Sequence, residues 1–272
     1  MTFYIKKTSG EKELFDLHKF RSSLHNVGAN DRLIDTIIHE IERLRPKSTK
    51  AIHAIAFTIL QEQEPHLAAR YNLRRALAEL GPTGFSFEQF VAKILTHQGY
   101  TTQTDVIVPG ACVEHEVDVI ATKDNEYIMV ECKFHHQMGL KVDVQVALYV
   151  QARFEDVQKK DSFNQAWLFT NTKFTSEAIA YANCMNMKVT GWSYPADNNL
   201  AHLIDKFGLH PITALTSLTN KEKRELIRAG FILCRDVEKY RDLLSSFGLS
   251  EYAINKLIQE AHAVCKVNYR KN

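Results

Sequence analysis

Two short apolar runs that carry charges inside them constrain this chain more than anything else in it. Glu116-Val117-Asp118-Val119-Ile120 and Tyr127-Ile128-Met129-Val130-Glu131-Cys132-Lys133 are rich in β-branched residues and flank Lys123-Asp124-Asn125-Glu126. The pattern predicts two neighbouring strands joined by a turn. Asp118 lies in the first run. Glu131 and Lys133 lie two apart in the second, so their side chains leave the same face. An unpartnered charge within an apolar strand is costly, which asks for a partner or a task. Two carboxylates can hold a hard divalent cation through oxygen. A lysine beside them can orient or deprotonate a water, or steady a phosphate oxygen. Charged residues on the solvated face of two ordinary strands also account for the pattern.

The surroundings extend it. Gly81-Pro82-Thr83-Gly84 reads as a linker. A helix is expected from Ser86 through Phe87, Phe90, Val91, Ile94 and Leu95, with Glu88 in its first turn, where it suits the helix dipole or a metal site. Alternating residues 101–108 precede the Asp118 strand. A helix is expected from about Lys141 to Gln158, with Gln145 near its start. Ala166-Trp167-Leu168-Phe169-Thr170 reads as a buried strand, Thr175-Ser176-Glu177 opens a helix, and residues 187–190 form a last strand. The order is αβββαβαβ. Cys132, Trp167 and Trp192 read as core. His135 and His136 read as loop residues, with a phosphate contact as the alternative.

This order, with Phe87-Glu88, Glu116-Val117-Asp118, Glu131-Cys132-Lys133, the Gln145 helix and Thr170-Asn171-Thr172-Lys173-Phe174-Thr175, resembles the restriction-endonuclease-like core of Mrr-type enzymes, in the PD-(D/E)XK superfamily. The resemblance implies metal-dependent hydrolysis of DNA phosphodiesters. Asp118 and Glu131 would be ligands for Mg²⁺ or Mn²⁺, and Lys133 would position or activate the attacking water. Gln145 would support the site, and Glu88 would be an extra ligand or a supporting acid.

Upstream, Phe3-Tyr4-Ile5-Lys6-Lys7 and Lys12-Glu13-Leu14-Phe15 predict a hairpin about Thr8-Ser9-Gly10-Glu11. Helices follow: one over residues 18–27, one that Asp31 caps and Pro46 stops, one from Ser48-Thr49, and one from Pro65 that Gly81-Pro82 ends. Taken alone, Lys6 and Lys7 are either a triphosphate contact or a charged edge strand protected from pairing. The hairpin, Leu14-Phe15-Asp16, the Ser48-Thr49 helix start and Tyr71…Arg74 together resemble the ATP-cone, a regulatory adenine-nucleotide-binding domain. The resemblance implies ATP or dATP as an allosteric ligand, with Lys6, Lys7, Lys19, Thr49 and Arg74 at or closing its site. It also implies a nucleotide-dependent dimer or tetramer. The family usually has an arginine in the first turn, where this chain has Lys7-Thr8. No P-loop is present, so hydrolysis of that nucleotide is not expected.

Downstream, helical patterns broken by Gly230 and Gly248 resemble a helix-hairpin-helix-like module. Lys221, Lys223, Arg224 and Arg228 would meet DNA phosphates there. A packing or dimerisation module is the plainer alternative.

At 272 residues the chain has room for two or three small domains. The expected division is 1–81, 82–200 and 201–272, in an α/β multi-domain chain whose last part is all-α. A 45% hydrophobic and 24% charged composition is that of a globular protein. No apolar run approaches 18 residues, and the N-terminus lacks the apolar core of a signal peptide. Five widely spaced cysteines without a CxxC suggest free thiols and a cytoplasmic setting. Net charge of +2 allows DNA binding through a local patch only. Two other functions share these features: a non-catalytic, nucleotide-sensing DNA-binding regulator, and a repair or recombination nuclease for branched DNA.

Overall fold

The computed structural model describes residues 3–7, 10–81, 84–137 and 139–266. The Thr8-Ser9 part of the first turn and the Pro82-Thr83 part of the linker lie outside the described residues.

Strands β1 (Tyr4–Lys6) and β2 (Lys12–Leu14) pair antiparallel, with Ile5 opposite Glu13. They are followed by α1 (Leu17–Asn26), α2 (Asp31–Leu44), α3 (Thr49–Gln63), α4 (Pro65–Tyr71) and α5 (Leu73–Ala78). Asp16, Asn30 and Ser48 cap the first three helices, accepting from the N–H groups of Lys19, Leu33 and Ala51. Leu33, Ile34, Ile37, Ile38 and Ile41 form the buried stripe of α2. With Ile5, Phe20, Leu24 and Leu60 they make a separate core. A single helix was expected to run from Pro65. The chain instead breaks at Asn72, which lets the two short halves face different neighbours. Leu73 and Leu77 join the central core, while Ala69 and Ala76 pack with the C-terminal helices.

The central part runs α6 (Phe85–His97), β3 (Thr101–Pro109), β4 (Glu114–Lys123), β5 (Glu126–Lys133), β6 (Lys141–Val142), α7 (Val144–Gln158), β7 (Gln165–Thr170), β8 (Lys173–Phe174), α8 (Ser176–Cys184) and β9 (Lys188–Thr190). One five-stranded sheet has the order β3-β4-β5-β7-β9, antiparallel through β5 and parallel beyond it. Strand alternation sends Val119, Ala121, Ile128, Val130 and Phe169 to the face covered by α6 and by α9 (Leu200–Phe207). Ile120, Met129, Ala166 and Leu168 go to the face covered by α7 and α8. The expected helix start at Lys141 is corrected. Lys141 and Val142 form β6, which pairs in parallel with β8. Asp143 then caps α7, accepting from the N–H groups of Gln145 and Val146.

The C-terminal part holds α10 (Asn220–Arg228), α11 (Arg241–Ser246) and α12 (Glu251–Cys265), with 3-10 turns at Ile212–Ala214 and Cys234–Tyr240. Gly230 and Gly248 follow α10 and α11 with φ of 84° and 86°, the left-handed conformation that ends a helix. Among the described residues, no helix is long and apolar enough to cross a membrane.

Candidate active site

The site forms where two strands part. The β4–β5 ladder ends at Val119 opposite Val130. The next register position would set Asp118 opposite Glu131, but the strands have separated there. Side chains satisfy the backbone groups that the ladder releases. Asp118 Oδ2 accepts the Cys132 N–H at 2.6 Å. The Glu116 carbonyl accepts from Arg153 of α7.

A second distortion acts at the same level. Asp105 of β3 has φ of 54°, while its neighbours Thr104 and Val106 pair with Val119 and Val117. Asp105 is therefore across from Asp118. Side chains change faces over this point. Thr102 meets Thr96 of α6, its hydroxyl 3.1 Å away, yet Val106 and Val108 pack on the α7 side. A non-glycine residue held at positive φ inside a strand is strained, and such strain gathers at sites of function.

The result is an open cleft of about 330 Å³, bordered by Glu114, His115, Glu116, Asp118, Glu131, Tyr149 and Arg153. Its floor is acidic and half-buried, and that raises its carboxyl pKa values. Burial pushes Glu131 up to about 7, helped by Asp118 and opposed by Arg153. Burial also raises Asp118, against the pull of the Cys132 N–H and Arg153. Glu88, one turn into α6, is pushed up to about 8 by burial, by Asp118 and by Asp105, with which it shares a hydrogen bond. Arg153 compensates part of this charge through an ion pair with Glu131.

The structure thus brings together Asp118, Glu131 and Glu88. Lys133 is exposed at the end of β5, close enough to Glu131 to favour its ionised form. Gln145 is exposed and does not border the cleft. It shares the i, i+4, i+8 stripe of α7 with Tyr149 and Arg153, which do. Asp105, Tyr149 and Arg153 escaped the reading of the sequence. The break that Asp105 makes in β3 alternation was the available signal for one of them.

The donors are hard oxygens, which suit Mg²⁺ or Mn²⁺. Among the described residues, no three His, Cys, Asp or Glu side chains gather closely enough to bind a metal by themselves. Mg²⁺ commonly takes one or two carboxylates and completes its shell with waters and phosphate oxygens. Asp118 and Glu131 fit that mode.

Beyond the site, the hairpin lies against the start of α3. Lys6 N donates to Lys47 O at 2.9 Å and its strand bridges Ser48, beside Thr49. Lys7 pairs with Glu13 across the hairpin at 2.6 Å. Among the described residues, the Lys19 ammonium reaches only Asp16, at 3.5 Å. Arg74 goes elsewhere: its guanidinium sits 6.0 Å from the centre of the Trp192 ring, against the central part. On α10, Lys221, Arg224 and Arg228 are exposed along one face. Lys223 does not join them. Its ammonium turns inward and donates to Thr213 O at 2.8 Å, and burial lowers its pKa.

Comparison with known proteins agrees with this geometry. Residues 81–196 match the restriction endonuclease family. Residues 210–265 match the family described as AF1548-like, C-terminal. An uncharacterized protein of Archaeoglobus fulgidus is 44% identical over 179 residues, which is 64% of this chain and 99% of that protein. The chain belongs to the AF1548-like family. A solved structure from this family, titled a protein of unknown function, AF1548, aligns with a TM-score of 0.58 at 42% identity. The alignment covers 67% of this chain and 98% of that one. The first match gives residues 81–196 of this AF1548-like chain a restriction-endonuclease domain, which suggests a nuclease of the PD-(D/E)XK type and implies DNA as its partner. Neither family match reaches residues 1–80.

Proposed function

We propose that this chain is a metal-dependent DNA endonuclease whose cutting answers to an adenine nucleotide bound by residues 1–81. Residues 82–200 would cut and residues 201–272 would grip the duplex. The observation that carries the catalytic part is the fork between β4 and β5, which leaves Asp118 and Glu131 facing one cleft, with Lys133 exposed at the end of β5 two residues beyond Glu131.

Asp118 and Glu131 would hold the cation. When bound, Mg²⁺ draws charge from the scissile phosphate and makes a water more acidic. The other steps belong to the chain. The Cys132 N–H fixes the Asp118 carboxylate and leaves its second oxygen for the ligand position. Lys133 orients the attacking water and steadies charge on the phosphate. Glu88, hydrogen-bonded to Asp105, holds its proton beside this centre.

Two observations support a nucleotide site at the N-terminus. The hairpin seats Lys6 beside the start of α3, and Lys6 carries no ion pair among the described residues. The exposed α10 face with Lys221, Arg224 and Arg228 supports a phosphate grip. ATP or dATP would act by changing assembly, from one copy to a dimer or tetramer.

The test is nicking of plasmid DNA by the full chain with Mg²⁺, with and without ATP or dATP. Asp118→Asn and Lys133→Ala should each lower the rate about 100-fold or more. Wild type that fails to cut under every condition, or variants that cut as well as it does, would sink the reading.

A further inference from the structure

Arg153 is the cation within the acidic fork. Its side chain is nine-tenths buried, at 9% exposure. One terminal nitrogen donates to Glu131 Oε2 and the other to the Glu116 carbonyl, so the guanidinium spans the gap between β4 and β5. Among the described residues its Nε finds no hydrogen-bond partner, although it is buried. The guanidinium carbon also lies 5.4 Å from the centre of the Tyr149 ring, which is 60% exposed at the cleft wall.

These contacts describe a group with spare capacity. A buried donor without a partner is costly, and a fully committed structural arginine would not keep one. The carboxylate that holds it is the one read above as a metal ligand. A guanidinium and a divalent cation repel each other at close range, so both cannot rest fully on Glu131. The Tyr149 face already lies against the guanidinium and can keep it in the cleft once it leaves Glu131. The planar fork matches the oxygens of a phosphodiester, which carries two unbridged oxygens on one phosphorus.

We propose that Arg153 is a displaceable counterion: it occupies the cation position beside Glu131 until a divalent metal binds, then swings to the scissile phosphate. The proposal rests on the nuclease reading. Before metal binds, Arg153 limits repulsion among Asp118, Glu131 and Glu116. With metal present it keeps its hold on the Glu116 carbonyl and turns its freed donors to DNA. Metal and Arg153 then compete for one carboxylate, while metal and Arg153 cooperate on the phosphate.

The test separates these opposite signs. Mn²⁺ is titrated calorimetrically into the full chain without DNA, for wild type, Arg153→Met, Arg153→Lys and Asp118→Ala. Arg153→Met should bind Mn²⁺ about tenfold tighter than wild type, and Asp118→Ala should lose binding. Binding of a short duplex in Ca²⁺, read by fluorescence anisotropy, should weaken about tenfold in Arg153→Met. Equal or weaker Mn²⁺ binding in Arg153→Met, with Asp118→Ala silent, would make Arg153 a fixed structural partner and overturn the proposal alone. Wild type that binds no Mn²⁺ would overturn the nuclease reading with it. Should Arg153→Met not fold, Arg153→Lys decides: it keeps the charge but cannot span the fork, and only tighter Mn²⁺ binding than wild type supports displacement.

Discussion

Glu88 sits where a carboxylate is hard to keep ionised. In an unfolded chain Glu88 and Glu131 would lose their protons near the usual 4.5. In the folded chain burial and neighbouring acids hold those protons to about 8 and about 7. Between roughly pH 5 and 8 the folded state therefore binds more protons than the unfolded state, and stability falls as pH rises. The melting temperature of metal-free protein in chelator should drop steadily from pH 5 to pH 8.5. Glu88→Gln should flatten the upper part of that slope, and an unchanged slope would refute the assignment. At this scale the sequence was legible where charge interrupts an apolar run, as at Asp118 and Glu131. It was silent at Arg153. That residue neighbours Val150, Phe154 and Val157 on the buried side of α7. Nothing local shows that its guanidinium reaches a strand fork 22 residues back in the chain.

The loop after β5 decides where Lys133 can stand, and Asn171 fixes that loop. Asn171 is buried at 3% exposure. Its Oδ1 accepts the His135 N–H at 2.9 Å, and its Nδ2 donates to the His135 carbonyl at 2.7 Å. Thr172 Oγ1 holds the His135 ring at 3.2 Å and is itself 3.1 Å from Thr170 Oγ1. A clamp made of both faces of one amide has no substitute among apolar residues. Asn171→Ala should cost about 2 kcal/mol, seen as a lower urea midpoint at unchanged slope. Amide exchange at residues 133–136 should quicken well beyond the global effect. Loss confined to global stability would show that the loop is held by other means. Elements were legible where a polar start meets a hydrophobic stripe, as over α2, although its cap is Asn30 and the expected Asp31 is the first residue of the helix. The start of α7 was misjudged because β6 is two residues long and its partner β8 lies some thirty residues downstream. A pairing that distant leaves no local periodicity to read.

At the scale of the molecule, α4 and α5 are the joint between the N-terminal unit and everything after it. Arg70 lays its guanidinium over the end of α12, donating to Val264 O at 3.1 to 3.2 Å and to Lys266 O. This satisfies carbonyls that a helix C-terminus leaves without partners and sets a positive charge at the negative end of its dipole. Thr213 Oγ1 donates to Ala76 O at 2.6 Å, and Arg74 stands over Trp192 beside the sheet. Three contacts on two short helices thus connect the hairpin unit to both later parts. A ligand can alter cutting only through contacts that differ between states, and this joint is where such contacts are available. Under the nucleotide control proposed above, Arg70→Ala should leave nucleotide binding within about twofold of wild type, because the Arg70 guanidinium faces α12 and not the hairpin. It should also leave cutting in Mg²⁺ alone near the wild-type rate. The ratio of rates with and without ATP should fall toward one. Lys6→Ala with Lys7→Ala should reach the same ratio by the other route, through lost binding, and isothermal titration separates the two. An Arg70→Ala protein that keeps the full ATP response would show that the signal crosses elsewhere, with the contact of Arg74 and Trp192 as the next one to cut.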